Sequence, residues 1–127
     1  MNVVDSSAWL EYFAGGPNTE CFAGAIEDTP SLLVPTIVPL EVFRQLSRQR
    51  GEDAALWRTG YLRQGTLVPL DEIIAISAAR IGAGAGLALA DSVILATARA
   101  RGAIPWTQDA DFAGMKGVQY LPKRSPA

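Results

Sequence analysis

Apolar residues follow two rhythms along this chain. Short unbroken apolar runs predict buried strands, and segments with an apolar residue every three or four positions predict helices. Asn2 to Val4 predicts a strand that ends at Asp5. Ser6 is expected to cap a helix over Ser7–Phe13, which Gly15-Gly16-Pro17 stops. A second helix is expected over Asn18–Glu27 and a second strand over Leu32–Val34. Thr36 then caps a helix reaching about Arg50, with Pro39 in the first turn, where its missing N–H costs little. Glu52–Gln64 predicts a helix and Thr66–Pro69 a third strand; Asp71 caps a helix running to about Gly82. The pattern continues with a helix over Leu87–Arg101 closed by Gly102, a strand over Ala103–Trp106, a helical turn over Asp109–Ala113 and a fifth strand over Val118–Leu121. Strands alternating with helices imply an α/β domain, a parallel sheet covered on both faces. The polar, proline-rich residues Pro122–Ala127 are expected to form a loose tail on that single domain.

Charge and composition remove several function classes. The 127 residues carry 11 basic and 13 acidic side chains, a net charge of -2. A protein that coats DNA or is drawn strongly to membranes needs a large positive field, which this balance does not supply. It does suit an acidic site whose charge is offset by bound cations. The absence of histidine excludes imidazole bases, serine–histidine triads and His-ligated zinc. The one cysteine, Cys21, excludes an internal disulfide and reads as a small buried hydrophobe. No signal-peptide core and no bilayer-length apolar run is present, so the cytoplasm is the expected location, with no membrane partner.

Four acids then stand out by position. In an open α/β sheet, ligands bind beyond the carboxyl ends of the strands. Asp5 follows the first strand and Asp109 the fourth, so both should face one edge. Taken alone, Asp5 reads equally as a turn or capping residue, and Asp109 and Asp111 as caps of the short turn after them. Asp91 shares a helical face with Leu87, Ile94, Leu95 and Ala98. A carboxylate on that apolar face is costly unless it is paired or binds a metal, and no Lys or Arg lies within a turn of it. Glu41 sits one turn into its helix and has an ordinary surface reading as a partner of Arg44. Convergence of these acids would be repulsive, and divalent cations would relieve the repulsion. Carboxylate oxygens are hard ligands suited to Mg²⁺ or Mn²⁺, which polarise a phosphoryl oxygen and lower the pKa of a bound water. The glycine-rich run Gly82–Gly86 follows a helix rather than a strand, so it lacks the geometry of a phosphate-cradling loop.

These residues carry a resemblance. Val3-Val4-Asp5-Ser6-Ser7-Ala8-Trp9-Leu10 resembles the opening strand and helix of PIN-domain ribonucleases, and within them the VapC-type toxins of VapBC toxin–antitoxin pairs. Pro39-Leu40-Glu41-Val42 is similar to the second acidic motif of that family. Gly86 to Ala98, with Asp91 near the helix start, is similar to the third, and Ile104 to Phe112 to the fourth. The resemblance implies a three-layer α/β/α fold with a five-stranded parallel sheet. It implies Mg²⁺- or Mn²⁺-dependent RNA cleavage by a homodimer that a small VapB-like antitoxin neutralises. The positions matching the family's acids are Asp5, Glu41, Asp91 and Asp109, with Asp5, Asp91 and Asp109 as metal ligands. Ser6 and Thr107 match polar positions near the metals, and Asp111 is an alternative or assistant to Asp109. Trp106 departs from the pattern, which usually has an aliphatic residue there.

Arg44 and Arg48 project along the helix of Glu41 toward RNA phosphate or antitoxin carboxylates, and read equally well as a solvated face. Lys116, Lys123 and Arg124 form a second, weak basic cluster. Core packing is the expected role of Trp9 and Phe13. Two other functions compete with the nuclease. One is a phosphoacceptor receiver module, with Asp71 after the third strand as the acceptor. The other is a PIN-like domain that binds RNA or protein without cleaving.

Overall fold

The run Asn2–Val4 becomes β1, the middle strand of the sheet, with Val3 and Val4 wholly shielded from water. In the computed structural model, which describes residues 1–125, the chain continues through α1 (Ser6–Ala14), α2 (Thr19–Glu27), β2 (Leu32–Pro35), α3 (Ile37–Arg50), α4 (Glu52–Tyr61), β3 (Thr66–Val68), α5 (Glu72–Ala85), α6 (Leu89–Ala100), β4 (Ile104–Thr107) and β5 (Gln119–Tyr120). All four strand pairings are parallel, in the order β3-β2-β1-β4-β5.

That order decides where a site can form. The chain steps outward from β1 to β2 and β3, then returns across the sheet to β4 on the other side of β1. The order therefore reverses between β1 and β4, and opposing right-handed crossovers send their helices to opposite faces. Accordingly α2 packs on β1 and β2, while α6 packs on β1, β2 and β4. This is a three-layer α/β/α domain with a five-stranded parallel sheet, as the resemblance implied. Its core joins Val3, Val4, Leu33 and Val34 of the sheet to Phe22 and Ile26 of α2, Val38 and Val42 of α3, and Ile94 and Ala98 of α6. Trp9 is buried as expected, in an aromatic cluster with Tyr12, Phe13 and Tyr61.

Several boundaries differ from expectation for local reasons. The cap of α1 is Asp5 rather than Ser6: its backbone is extended and its carboxylate accepts from Ala8 N at 2.9 Å. Thr36 precedes α3 in helical geometry, and its hydroxyl accepts from Leu70 N instead of capping. The α5 helix runs past Gly82 to Ala85, where Gly86 at φ 68° closes it. Gly82 stays inside because α6 lies so near that an added Cβ would stand 2.7 Å from Ser92 Oγ. The α6 helix starts at Leu89, and Arg101 rather than Gly102 is its C-cap residue. Cys21 is exposed, not buried: it sits on the outer side of α2, whose inner side is taken by Phe22, Ala25 and Ile26. The expected loose tail is tied down by hydrogen bonds at Pro122 and Arg124, and its last two residues lie outside the described residues. No single helix among the described residues is long and apolar enough to cross a membrane.

Candidate functional site

The carboxyl ends of β1 and β4 lie side by side, and the acids gather there. Asp5 leaves β1 with its backbone N–H donating to Trp106 O at 3.0 Å, which ties it to β4. Its side chain is 2% exposed and fully engaged. Oδ1 accepts from Ala8 N at 2.9 Å and from the Ser7 hydroxyl at 2.7 Å, and Oδ2 accepts from the Thr107 hydroxyl at 2.5 Å. Burial drives its pKa up to about 6 despite these three donors, with the charge of Asp109 adding to the rise.

Asp91 occupies the first turn of α6 at the rim of an otherwise buried face, Ser92 to Ala98. It is half-buried, not enclosed as the apolar pattern suggested, because it stands at the very start of the helix, beside exposed Leu89. Its pKa is pushed up to about 7. Desolvation is the largest cause, followed by the charges of Asp109, Asp5, Glu41 and Asp111. Five acids from four separate segments thus share one electrostatic environment. Carboxylate oxygens of Asp91, Asp109 and Asp111 lie within 4.8 Å of one another.

Neighbours hold three of the acids, Asp5, Asp109 and Glu41. Asp109 Oδ1 accepts from Asp111 N at 2.9 Å, so the aspartate that enters the site also shapes the turn carrying the second one. Thr107 accepts from Asp109 N at 2.9 Å while donating to Asp5, and so links the β1 and β4 acids. The Ser6 hydroxyl donates to Glu41 Oε1 at 2.7 Å across 35 positions of sequence. Hard oxygen donors crowded this closely, two of them held back from full ionisation near neutral pH, are a donor set that suits a hard divalent cation.

All four expected acids, Asp5, Glu41, Asp91 and Asp109, converge here, together with Ser6, Thr107 and Asp111. Asp109 and Asp111, the two alternatives for the fourth acid, both stand beside Asp91. Arg44 and Arg48 are exposed on the turns of α3 beyond Glu41. Asp71 is an exposed cap of α5, accepting from Ile74 N at 2.8 Å, and does not join the acids. Sequence reasoning missed Ser7, Asn18 and Gln108. Asn18 and Gln108 are buried amides whose partners lie up to 106 positions away, and nothing local marks them. The indole of Trp106 donates to Asn2 Oδ1 at 2.9 Å, a polar use for the residue that departs from the family pattern.

The PIN domain family model matches residues 3–118, which holds every one of these acids. This chain belongs to the PIN domain family. No curated protein matches it in sequence. Solved structures share its PIN fold over nearly the full length. A toxin–antitoxin complex from Klebsiella pneumoniae aligns with TM-score 0.75 and 23% identity, covering 93% of this chain and 95% of that one. A DNA-bound VapBC from Salmonella typhimurium gives 0.74 and 17%, covering 96% and 98%. VapC20 from Mycobacterium tuberculosis, described as a sarcin-ricin loop cleaving toxin, gives 0.79 and 18%, covering 94% and 98%. At such identities the likeness is one of fold. The PIN assignment leaves the receiver reading without support.

Proposed function

We propose that this PIN domain is a divalent-cation-dependent endoribonuclease acting as the toxin of a type II toxin–antitoxin pair. The observation that carries the reading is the convergence of Asp5, Glu41, Asp91, Asp109 and Asp111 at the reversal point of the sheet. Asp91, Asp109 and Asp111 would hold Mg²⁺ or Mn²⁺ directly, with Asp5 beside them. A cation there supplies charge neutralisation at the scissile phosphate and eases ionisation of the attacking water. The chain's own groups do the positioning. Ser7, Thr107 and the Ala8 N–H fix the Asp5 carboxylate. Ser6 fixes one oxygen of Glu41 and leaves the other to orient a water. The exposed N–H groups at the start of α6 favour an anion beside Asp91.

A polyanionic substrate also needs positive charge along its path. A surface cleft of about 330 Å³ away from the acids carries such charge, lined by Arg80 of α5, Arg99 of α6 and Lys116, with no carboxylate on its walls. Asp91 and Arg99 share α6, and Asp111 and Lys116 share one loop, so acid and cation lie at opposite ends of the same two elements. Arg99→Ala and Lys116→Ala are each expected to weaken binding of single-stranded RNA. Each should also flatten its salt dependence by about 0.7 in logarithmic slope per lost phosphate contact. Fluorescence anisotropy at several salt concentrations reads this out, and unchanged slopes would locate the RNA path elsewhere, toward Arg44 and Arg48.

The antitoxin reading draws on toxin–antitoxin structures of the same fold. It also draws on an apolar cleft of about 640 Å³ at Phe13, Leu56, Trp57 and Tyr61, where Trp57 is 84% exposed. A homodimer in the cytoplasm, neutralised by a VapB-like protein, completes the proposal.

The deciding experiment incubates the purified chain with total RNA in Mg²⁺ or Mn²⁺, beside lanes containing EDTA and Asp5→Ala protein. Discrete cleavage lost in both control lanes supports the carboxylate-cation nuclease. No cleavage by a folded, Mn²⁺-binding wild type would leave a binding module in its place.

A further inference from the structure

The Ser7 hydroxyl that holds Asp5 is itself held. It accepts from Gln108 N at 3.3 Å. The Gln108 side chain then spans two elements: Nε2 donates to Ser7 O at 3.5 Å, and Oε1 accepts from Asn18 Nδ2 at 3.1 Å. Asn18 is 1% exposed and spends its whole amide. Nδ2 also donates to Pro122 O at 3.0 Å, and Oδ1 accepts from Arg124 Nε at 2.7 Å. Arg124 donates in addition to Pro17 O. The Asn18 N–H donates to Glu11 Oε2 at 2.7 Å. A continuous hydrogen-bonded path therefore runs from Arg124 through Asn18, Gln108 and Ser7 to the Asp5 carboxylate.

Two buried amides are costly to place in a core and are tolerated only where their partners are fixed. When they are satisfied, they allow one arrangement of the elements they join. Here those elements are the start of α1, which carries Asp5 and Ser7, and the loop after β4, which carries Asp109. The outermost member, Arg124, lies beyond residues 3–118 matched by the PIN family model.

We propose that Asn18, Gln108 and Arg124 are positioning residues. The C-terminal segment locks the Asp5 carboxylate and the Asp109 loop into the register that a divalent cation requires. The inference rests on the cation-site reading above. It has a readout that a purely structural role would not move, namely cation affinity in a chain of unchanged stability. Outer partners of metal ligands typically contribute about 10–100-fold to affinity or activity. Arg124 acts through three intermediaries and is expected near or below the lower end.

The test uses full-length wild type, Arg124→Ala, Arg124→Lys and Gln108→Ala. Mn²⁺ dissociation constants come from electron paramagnetic resonance of free Mn²⁺, and melting temperatures from EDTA-containing buffer. Arg124 is exposed, so its variants keep the fold even where a change at buried Gln108 disturbs it. Arg124→Ala should bind Mn²⁺ about three- to tenfold more weakly with little change in metal-free melting temperature, and Arg124→Lys should recover part of the loss. Wild-type Mn²⁺ affinity in both Arg124→Ala and Gln108→Ala would overturn the proposal and leave the network purely structural. Failure of the wild type itself to bind Mn²⁺ would instead overturn the cation-site reading, and this inference with it.

Discussion

Asp91→Asn protein is expected to cleave RNA about a thousandfold more slowly than wild type while melting at a higher temperature in metal-free buffer. The two effects have one cause. Asp91 is the acid on which the charges of Asp5, Glu41, Asp109 and Asp111 all press. An asparagine keeps the shape and one oxygen, but removes the charge that would hold a divalent cation against its neighbours. Without a cation that charge is a burden on the fold. Water screens the half-exposed carboxylate, so the relief on removing it is discounted to about 1 kcal/mol, or roughly 3–6 °C in melting temperature. Thermal denaturation in EDTA and a cleavage time course in Mn²⁺ read the two effects separately. A variant that lost activity and stability together would mean that Asp91 is structural; one that kept its activity would remove it from the site.

Metal-free protein is expected to lose stability as pH rises from about 4 to about 7, the reverse of ordinary acid denaturation. Folding lifts Asp5 from 3.8 to about 6 and Asp91 from 3.8 to about 7. The folded chain therefore binds these protons more tightly than the unfolded chain. Their penalty is absent below the unfolded pKa of 3.8, grows as pH climbs from there to the folded values of about 6 and 7, and is complete above them. Asp5, almost wholly buried, accounts for roughly 3 kcal/mol on an order-of-magnitude basis, and the screened Asp91 for less. A divalent cation prefers the ionised acids, so added Mg²⁺ or Mn²⁺ should raise stability most at the alkaline end and flatten or invert the trend. Melting temperatures across this range, with and without cation, make the comparison. A metal-free protein equally stable at both ends would contradict the crowding of the acids.

Much of the fold was legible because its signals are local. The short apolar runs at Val3-Val4 and Leu32-Leu33-Val34 are buried strands, and the apolar face from Val93 to Ala98 packs on the sheet. Boundaries moved where a side chain had a distant claim on it. Asp5 took the α1 cap expected of Ser6, because the Ser6 hydroxyl is drawn to Glu41, 35 positions away. Thr36 forwent its cap for the backbone of Leu70. The α5 helix kept Gly82 in its interior because only a glycine lets Ser92 of α6 come so near.

For the candidate site, the order and spacing of residues placed Asp5 and Asp109 at strand ends and Asp91 at a helix start, since those positions follow from periodicity and from the parallel sheet. The sequence by itself therefore determined the α/β architecture and that Asp5 and Asp109 lie at its carboxyl edge. Only the tertiary structure decided that Glu41 joins them rather than pairing with Arg44, and that Asp109 and Asp111 both reach Asp91. It alone revealed that Asn18, Gln108 and Arg124 form one path to Asp5. The reason is physical. A strand or helix end is set by neighbours within a few positions. A carboxylate's ionisation and a buried amide's partners are set by groups that only folding brings together, here across as many as 106 residues.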